Sequence, residues 1–220
     1  MSKGPTQIDA QAYLDQVTAD TSDAVRKLAQ EKRHAKGFRT ARENLADLVD
    51  DDSFVEYGQL AVAAQRGRRD PESMRIDTAA DGVITGTATI NKDLIAGGES
   101  DIAVAIYDYS VLAGTQGFFH HQKLDRIFEV AARERLPFVM YTEGGGGRPG
   151  DTDVKVNIAG LNSTSFSRWA GLTGKVPRVT VIYGYCFAGN AALFGAGDIR
   201  IATKSSSIGM AGPAMIEGGG

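Results

Sequence analysis

The sequence predicts an α/β fold: a mostly parallel β-sheet flanked by helices, preceded by a helical N-terminal segment. Three observations point there. Residues 1–52 place apolar side chains at helical intervals among charges. From Asp81 onward, short apolar runs alternate with helix-period segments, the order of βαβ units. Glycine makes up 27 of 220 residues, well above the usual ~7%, and it gathers where the apolar runs end.

Taken in order, Tyr13, Val17, Val25 and Leu28 mark an apolar helical face, and Glu31 to Lys36 add a basic edge. Thr40-Ala41-Arg42-Glu43 has capping-box spacing ahead of Leu45, Leu48 and Val49. Phe54 to Tyr57 reads as a short strand, and Gln65 to Ala80 as a charged, irregular loop. Gly82 to Ile90 alternates in strand fashion, and Ile102 to Tyr107 is a buried strand. A helix follows from Gln116 to Arg135, its face marked by Leu124, Ile127, Phe128 and Ala131, with Pro137 beyond its end. Next come strand Phe138 to Tyr141, a helix from Ser163 to Leu172, strand Val179 to Tyr183, a Gly/Ala-rich helix from Ala188 to Phe194, and strand Ile199 to Ala202. The expected division is a helical extension over 1–52 and one α/β unit over 53–220. A triple glycine at Gly218 to Gly220 normally enters a further turn, so the sequence reads as part of a longer chain.

Composition excludes several classes. A net charge of -3 and a pI near 5.6 argue against a nucleic-acid partner. No apolar run reaches the ~20 residues of a membrane span, and the polar start is no signal peptide. The lone Cys186 points to a reducing, cytoplasmic compartment. With only His34, His120 and His121 beside it, no metal site is expected.

Three strand ends run into small-residue turns: Leu112 to Gly117, Gly144 to Gly150, and Gly184 to Ala192. In open α/β sheets ligands sit beyond the carboxyl ends of strands, so these turns are expected to converge on one site. Glycine lets backbone approach a ligand closely, and outward amides at a helix start stabilise negative charge. Rival motifs fit poorly. Gly144 to Arg148 lacks the Gly-Lys-Ser/Thr of a P-loop. A Gly-x-Gly-x-x-Gly forced onto Gly145, Gly147 and Gly150 has no acidic residue at the right distance. No Gly-x-Ser-x-Gly elbow exists. The turns alone imply an anionic or thioester ligand.

Several segments carry a resemblance: Phe54-Val55-Glu56, Ala80 to Gly86, Tyr107 to Thr115, Glu143 to Asp151, Cys186 to Ala191, and Ile208 to Glu217. Together, from residue 30 onward and in the right order, they resemble the carboxyltransferase component of biotin-dependent acyl-CoA carboxylases, nearest the long-chain or broad-range type. That carboxyltransferase is built of two crotonase-like (ClpP/crotonase) halves, and this sequence matches the first. The resemblance implies transfer of CO2 from carboxybiotin to the α-carbon of an acyl-CoA in fatty acid metabolism. The implied partners are a biotin carboxyl carrier, a biotin carboxylase component, the C-terminal carboxyltransferase half and further copies of the chain, as a dimer or trimer of dimers. The family's Ala-Gly-Gly-Ala turn corresponds to Ala188-Gly189-Asn190-Ala191, making the Gly189 and Asn190 amides one oxyanion hole. Gly144, Gly145, Gly146, Gly147 and Arg148 correspond to the turn lining the CoA channel, and Ala113 and Gly114 to a Gly-Gly turn at the same site.

Single residues keep two readings. Arg148 either grips a CoA phosphate or braces the loop through a carboxylate such as Asp151. Lys123 is a phosphate-contact candidate or a solvated lysine. His120 and His121 point apart on a helix and read as packing or surface residues. Cys186 reads as small and buried, and Trp169 as core or interface. Two other chemistries keep the fold: an acyl-CoA decarboxylase, or a hydratase with Glu143 or Glu217 as base. A non-catalytic, CoA-binding half is the third alternative.

Overall fold

The computed structural model describes residues 10–95, 97, 99–154 and 163–212. Helices α1 (Ala10–Ala19), α2 (Lys27–His34) and α3 (Ala41–Leu48) precede β1 (Val55–Tyr57). Helix α3 starts on the expected capping box: Thr40 Oγ1 accepts from Glu43 N at 3.1 Å, and Glu43 Oε2 accepts from Thr40 N at 2.8 Å. The stretch expected as a loop, Gln65 to Ala80, instead contains α4 (Pro71–Asp77). Asp70 caps it through Glu72 N and Ser73 N at 3.0 and 3.2 Å, with Pro71 in the first turn. The Asp-Pro pair was the cue; a short helix exposing mostly charge shows little apolar period.

Then follow β2 (Val83–Thr89), β3 (Asp101–Tyr107), α5 (Phe118–Glu134), β4 (Phe138–Tyr141), α6 (Ser165–Ala170), β5 (Arg178–Ile182), β6 (Tyr185–Phe187), α7 (Gly189–Gly195), β7 (Ile199–Ala202) and β8 (Ser207–Gly209). The main sheet has the order β1-β2-β3-β4-β5-β7. Its first three strands pair antiparallel, and β3, β4, β5 and β7 run parallel. A second sheet pairs β6 with β8 in parallel. The sequence reading had placed β6 inside a turn.

Strand β3, at the middle of the sheet, is buried on both faces. Ala103, Ala105 and Tyr107 pack with Leu124, Ile127 and Phe128 of α5 and with Trp169 of α6. Ile102, Val104 and Ile106 face the other way, onto Ala41 and Leu45 of α3. Helix α3 therefore shares a core with the sheet. Trp169 is fully buried, and its Nε1 donates to Leu193 O at 3.0 Å. Among the described residues no helix is long and apolar enough to cross a membrane.

Helix α5 borrows its N-terminal caps from distant loops, because Gly117 offers no side chain. Asp151 Oδ2 accepts from Phe118 N at 2.8 Å, and Asp81 Oδ2 from His120 N at 2.7 Å. This anchors the helix start between the Ala79–Gly82 turn and the glycine loop that follows β4.

Candidate active site

The three glycine turns do converge. The Gly144–Gly147 loop lies between the other two as an irregular ladder. On one side Gly145 N donates to Ala113 O at 3.0 Å and Gln116 N to Gly146 O at 2.7 Å. On the other, Gly144 N donates to Tyr185 O at 2.7 Å and Phe187 N to Gly144 O at 2.9 Å. Close approach explains the glycines: a Cβ on Gly144 would run into Gly114 O and the Asn190 side chain, and one on Gly146 would lie 2.7 Å from Ala188 Cβ. Leu112, Ala113 and Gly114 all take left-handed φ, at 47°, 55° and 60°, which turns the chain sharply at the end of β3.

The ladder consumes the amides of Gly144 and Gly145, and the Asn190 side chain takes that of Gly146. Among the described residues, no acceptor meets the N–H groups of Gly189 and Asn190, nor those of Ala113 and Gly147. Ala188, just before the free pair, sits at φ 51°, ψ -120°, a conformation alanine adopts at a cost of about 1–3 kcal/mol. Its own N–H is tied to Gly209 O at 3.0 Å. That strained residue swings the chain from β6 into α7 and leaves two successive amides unpaired.

The side chain of Asn190 is fully buried. Its Oδ1 accepts from Gly146 N at 3.0 Å, while Nδ2 donates to Thr142 O and Gly114 O at 3.2 and 3.3 Å. The sequence reading used only its backbone.

Arg148 sits beneath the loop, its side chain 4% exposed. Nη1 pairs with Asp81 and, at 3.5 Å, with Asp151; Nη2 donates to Thr115 O at 2.8 Å. Of its two readings, these contacts belong to the brace. A second ion pair lies on the opposite side. Arg33 of α2 grips Glu143 with two bonds, 2.9 and 2.7 Å, and its guanidinium lies 4.9–5.6 Å from the ring centres of Phe38, Tyr109 and Tyr183. Burial raises the Glu143 carboxyl above its ordinary range, and Arg33 opposes that push. Nothing local in the sequence pairs these two residues. Burial likewise raises the Cys186 thiol to about 11, which leaves it inert.

A cleft of about 550 Å³ opens beside the Leu112 turn, between α2 and α4. Lys32, Lys36, Arg26, Arg33, Arg69 and Asp77 line it, with Arg26 paired to Asp108 at 2.7 Å and Arg69 to Asp77 at 3.3 Å, and Leu28 and Tyr185 form part of its apolar wall. Lys32 and Lys36 are exposed.

A family described as the carboxyl transferase domain matches residues 32–218. The chain belongs to the carboxyl transferase domain family. It is 31% identical over 179 residues to the biotin-dependent acetyl-/propionyl-coenzyme A carboxylase beta5 subunit of Mycobacterium leprae, covering 81% of this chain and 30% of that protein. It is also 31% identical over 190 residues to methylmalonyl-CoA decarboxylase subunit alpha of Veillonella parvula, covering 85% and 34%. Among solved structures, a single-chain, multi-domain long-chain acyl-CoA carboxylase superposes with a TM-score of 0.89 at 53% identity, over 97% of this chain and 21% of the other. The transcarboxylase 12S hexamer superposes with a TM-score of 0.74 at 28% identity, over 99% and 40%. The chain thus spans about a third of the curated relatives it matches.

In this carboxyl transferase domain Lys123 lies away from the free amides and is buried. Its Nζ donates to Ala80 O at 2.8 Å and also to Val83 O. A solvated position is not what the structure shows: the ammonium is held by two backbone carbonyls. Burial lowers its pKa to about 7, against about 10.4 in an unfolded chain. The folded state holds this proton less tightly, so stability rises with pH between those values, by roughly 1 kcal/mol per unit. We expect wild-type unfolding free energy in urea to be larger at pH 9.5 than at pH 7, with the gain absent in Lys123→Met. Equal slopes in the two proteins would refute the assignment.

His120 is also interior: Nδ1 lies 3.0 Å from Asp81 O, and the ring packs on Tyr107. His121 is half-buried and meets Ser165 Oγ at 2.9 Å. Glu217 lies outside the described residues.

Proposed function

We propose that this domain carries the acyl-CoA side of a carboxyltransferase and holds the thioester oxygen of the substrate enolate on the Gly189 and Asn190 amides. The unpaired, adjacent N–H groups at the centre of three converging turns carry this reading. Two fixed donors aimed at one developing negative oxygen favour the enolate over the neutral thioester, and such donors are worth ~3 kcal/mol each in transition-state stabilisation. Carboxybiotin, brought by a carrier on a partner component, would supply the CO2 unit. The N–CO2 bond of carboxybiotin would break, the freed ureido nitrogen would take the proton from the α-carbon, and the enolate so formed would bond to the released CO2. Glu143, the base a hydratase would need, is committed to Arg33, and this disfavours hydration.

The basic cleft supports coenzyme A as the handle. It joins the turn carrying Ala113 and Gly114, and its exposed Lys32 and Lys36 suit phosphates while its apolar wall suits an adenine ring. Charge reversal by Lys32→Glu with Lys36→Glu is expected to raise KM for acyl-CoA at least tenfold and to leave kcat within about twofold. A fall in kcat alone would take the cleft out of substrate binding. The biotin carboxylase and carrier components, the C-terminal half, further copies of the chain and a cytoplasmic setting complete the proposal.

The direct experiment assembles the full-length polypeptide with its biotin components and follows labelled bicarbonate into acetyl-, propionyl- and longer acyl-CoAs. Label in an acyl-CoA product is the expected result. Carboxylated biotin with no transfer to any acyl-CoA would refute it. Because the Veillonella relative is a decarboxylase subunit, release of CO2 from a malonyl- or methylmalonyl-CoA without net carboxylation would favour that second reading.

A further inference from the structure

The carboxamide of Asn190 is the point where the three turns are joined: it belongs to the third turn itself, and its partners lie in two sequence-distant segments, Thr142 to Gly146 and the turn at Gly114. Oδ1 meets an N–H of the glycine loop, Gly146; Nδ2 meets Gly114 O of the β3 turn and Thr142 O at the end of β4. The orientation of the group is set by these partners. Reversing it would set an NH2 against an N–H and a carbonyl oxygen against two carbonyls. Only a side chain with one acceptor and two donors on one planar group fits, and that is an amide. Aspartate would accept from Gly146 but would face Gly114 O and Thr142 O with negative charge. Alanine or glycine would leave a buried N–H and two buried carbonyls short of a partner. The carboxamide also fills the space that Gly144 vacates by lacking a side chain: a Cβ there would collide with Nδ2.

We propose that Asn190 is a positioning residue whose side chain sets the spacing of the three turns, and thereby the aim of the Gly189 amide and its own. The proposal rests on the enolate-holding reading for its catalytic consequence, though not for the strut itself. One residue thus serves the cradle twice: its backbone N–H is left free for the ligand, and its carboxamide locks the walls together. Breaking the strut should loosen both walls at once and cost turnover more than substrate capture, because Lys32 and Lys36, the exposed cations of the CoA cleft, lie on α2 and just beyond it, outside the three turns.

The test uses the full-length protein assembled with its partner components. Asn190→Gly keeps both backbone amides and removes the strut. It is expected to lower kcat by about 10–100-fold and to change KM for acyl-CoA by no more than about threefold. In Asn190→Asp the buried carboxyl has a raised pKa, and its protonated form regains one donor. The kcat of this variant relative to wild type should therefore rise at least about tenfold as pH falls from 9 to 6. Amide hydrogen exchange gives a readout that needs no activity. In Asn190→Gly, peptides covering 143–150 and 186–195 should both exchange faster, with β3 and α5 unchanged. Unaltered kcat in Asn190→Gly, a flat pH ratio for Asn190→Asp, or faster exchange confined to α7 would each overturn the proposal. Absence of carboxyl transfer in wild type would instead defeat the functional reading, and the exchange data alone would then decide the strut.

Discussion

Replacing Gly189 by proline is expected to lower kcat for carboxyl transfer by about 10²–10³-fold, read in the assembled enzyme at saturating acyl-CoA. Proline removes the N–H, and the first position of a helix is where the backbone best tolerates that loss. Gly189 opens α7, and its φ is not left-handed. The substitution also adds bulk. A Cβ at Gly189 would come within 2.5 Å of Gln116 Oε1 and 3.1 Å of Phe166 Cζ. Gly189→Ala separates the two effects, since it adds the Cβ and keeps the amide. The Gln116 carboxamide is the far end of a flexible chain and can move, so alanine should cost about tenfold less than proline. Equal losses would mean that crowding, not the missing donor, explains the result.

Removing Arg33 is expected to destabilise the fold by about 3–5 kcal/mol, the usual cost of leaving a buried charge unpaired. Its partner carboxylate is wholly inaccessible and the guanidinium only 8% exposed, so solvent cannot take over the lost contact. Gly184 lets the pair approach, because a Cβ there would collide with Glu143 Oε1. Arg33→Met should show the full loss in urea unfolding at pH 8. The double change Arg33→Met with Glu143→Gln should recover most of it, because the uncompensated charge is then gone. The sign of the pH effect follows from burial. A carboxyl whose folded pKa lies above its unfolded one binds its proton more tightly when folded, so stability is lost as pH rises through the folded value. Without Arg33 that shift grows, and the defect of Arg33→Met should shrink at pH 5. A loss below about 1 kcal/mol, or no rescue in the double variant, would show that the pair is not what holds α2 to the site.

The two predictions separate what is local from what is not. The free amide at Gly189 was legible because a small-residue turn between a strand and a helix is a one-dimensional pattern, and the resemblance then marked which of three such turns to trust. The Arg33–Glu143 pair was not legible. Its partners stand 110 residues apart, and in the sequence Arg33 is one of several basic residues on a helix edge. Arg148 was readable only as far as its two options. Choosing the brace required seeing Asp81 arrive from a left-handed turn 67 residues earlier. Lys123 was misplaced for the same reason: helical period puts it on a face, while burial of that face depends on where the β2 and Ala79–Gly82 backbones pass.

The sequence by itself determined the α/β class, the order of the main-sheet strands and the helices from Asp81 on, the capping of α3, and the turns around which the site forms. These follow from side-chain periodicity and from backbone freedom at glycine, both properties of neighbouring residues. Only the tertiary structure decided which amides remain free, which charges are buried in pairs, and that the Asn190 side chain joins three turns. Each of those depends on hydrogen-bond partners brought together by chain segments far apart in sequence. A buried polar group must find its partner wherever the fold supplies one.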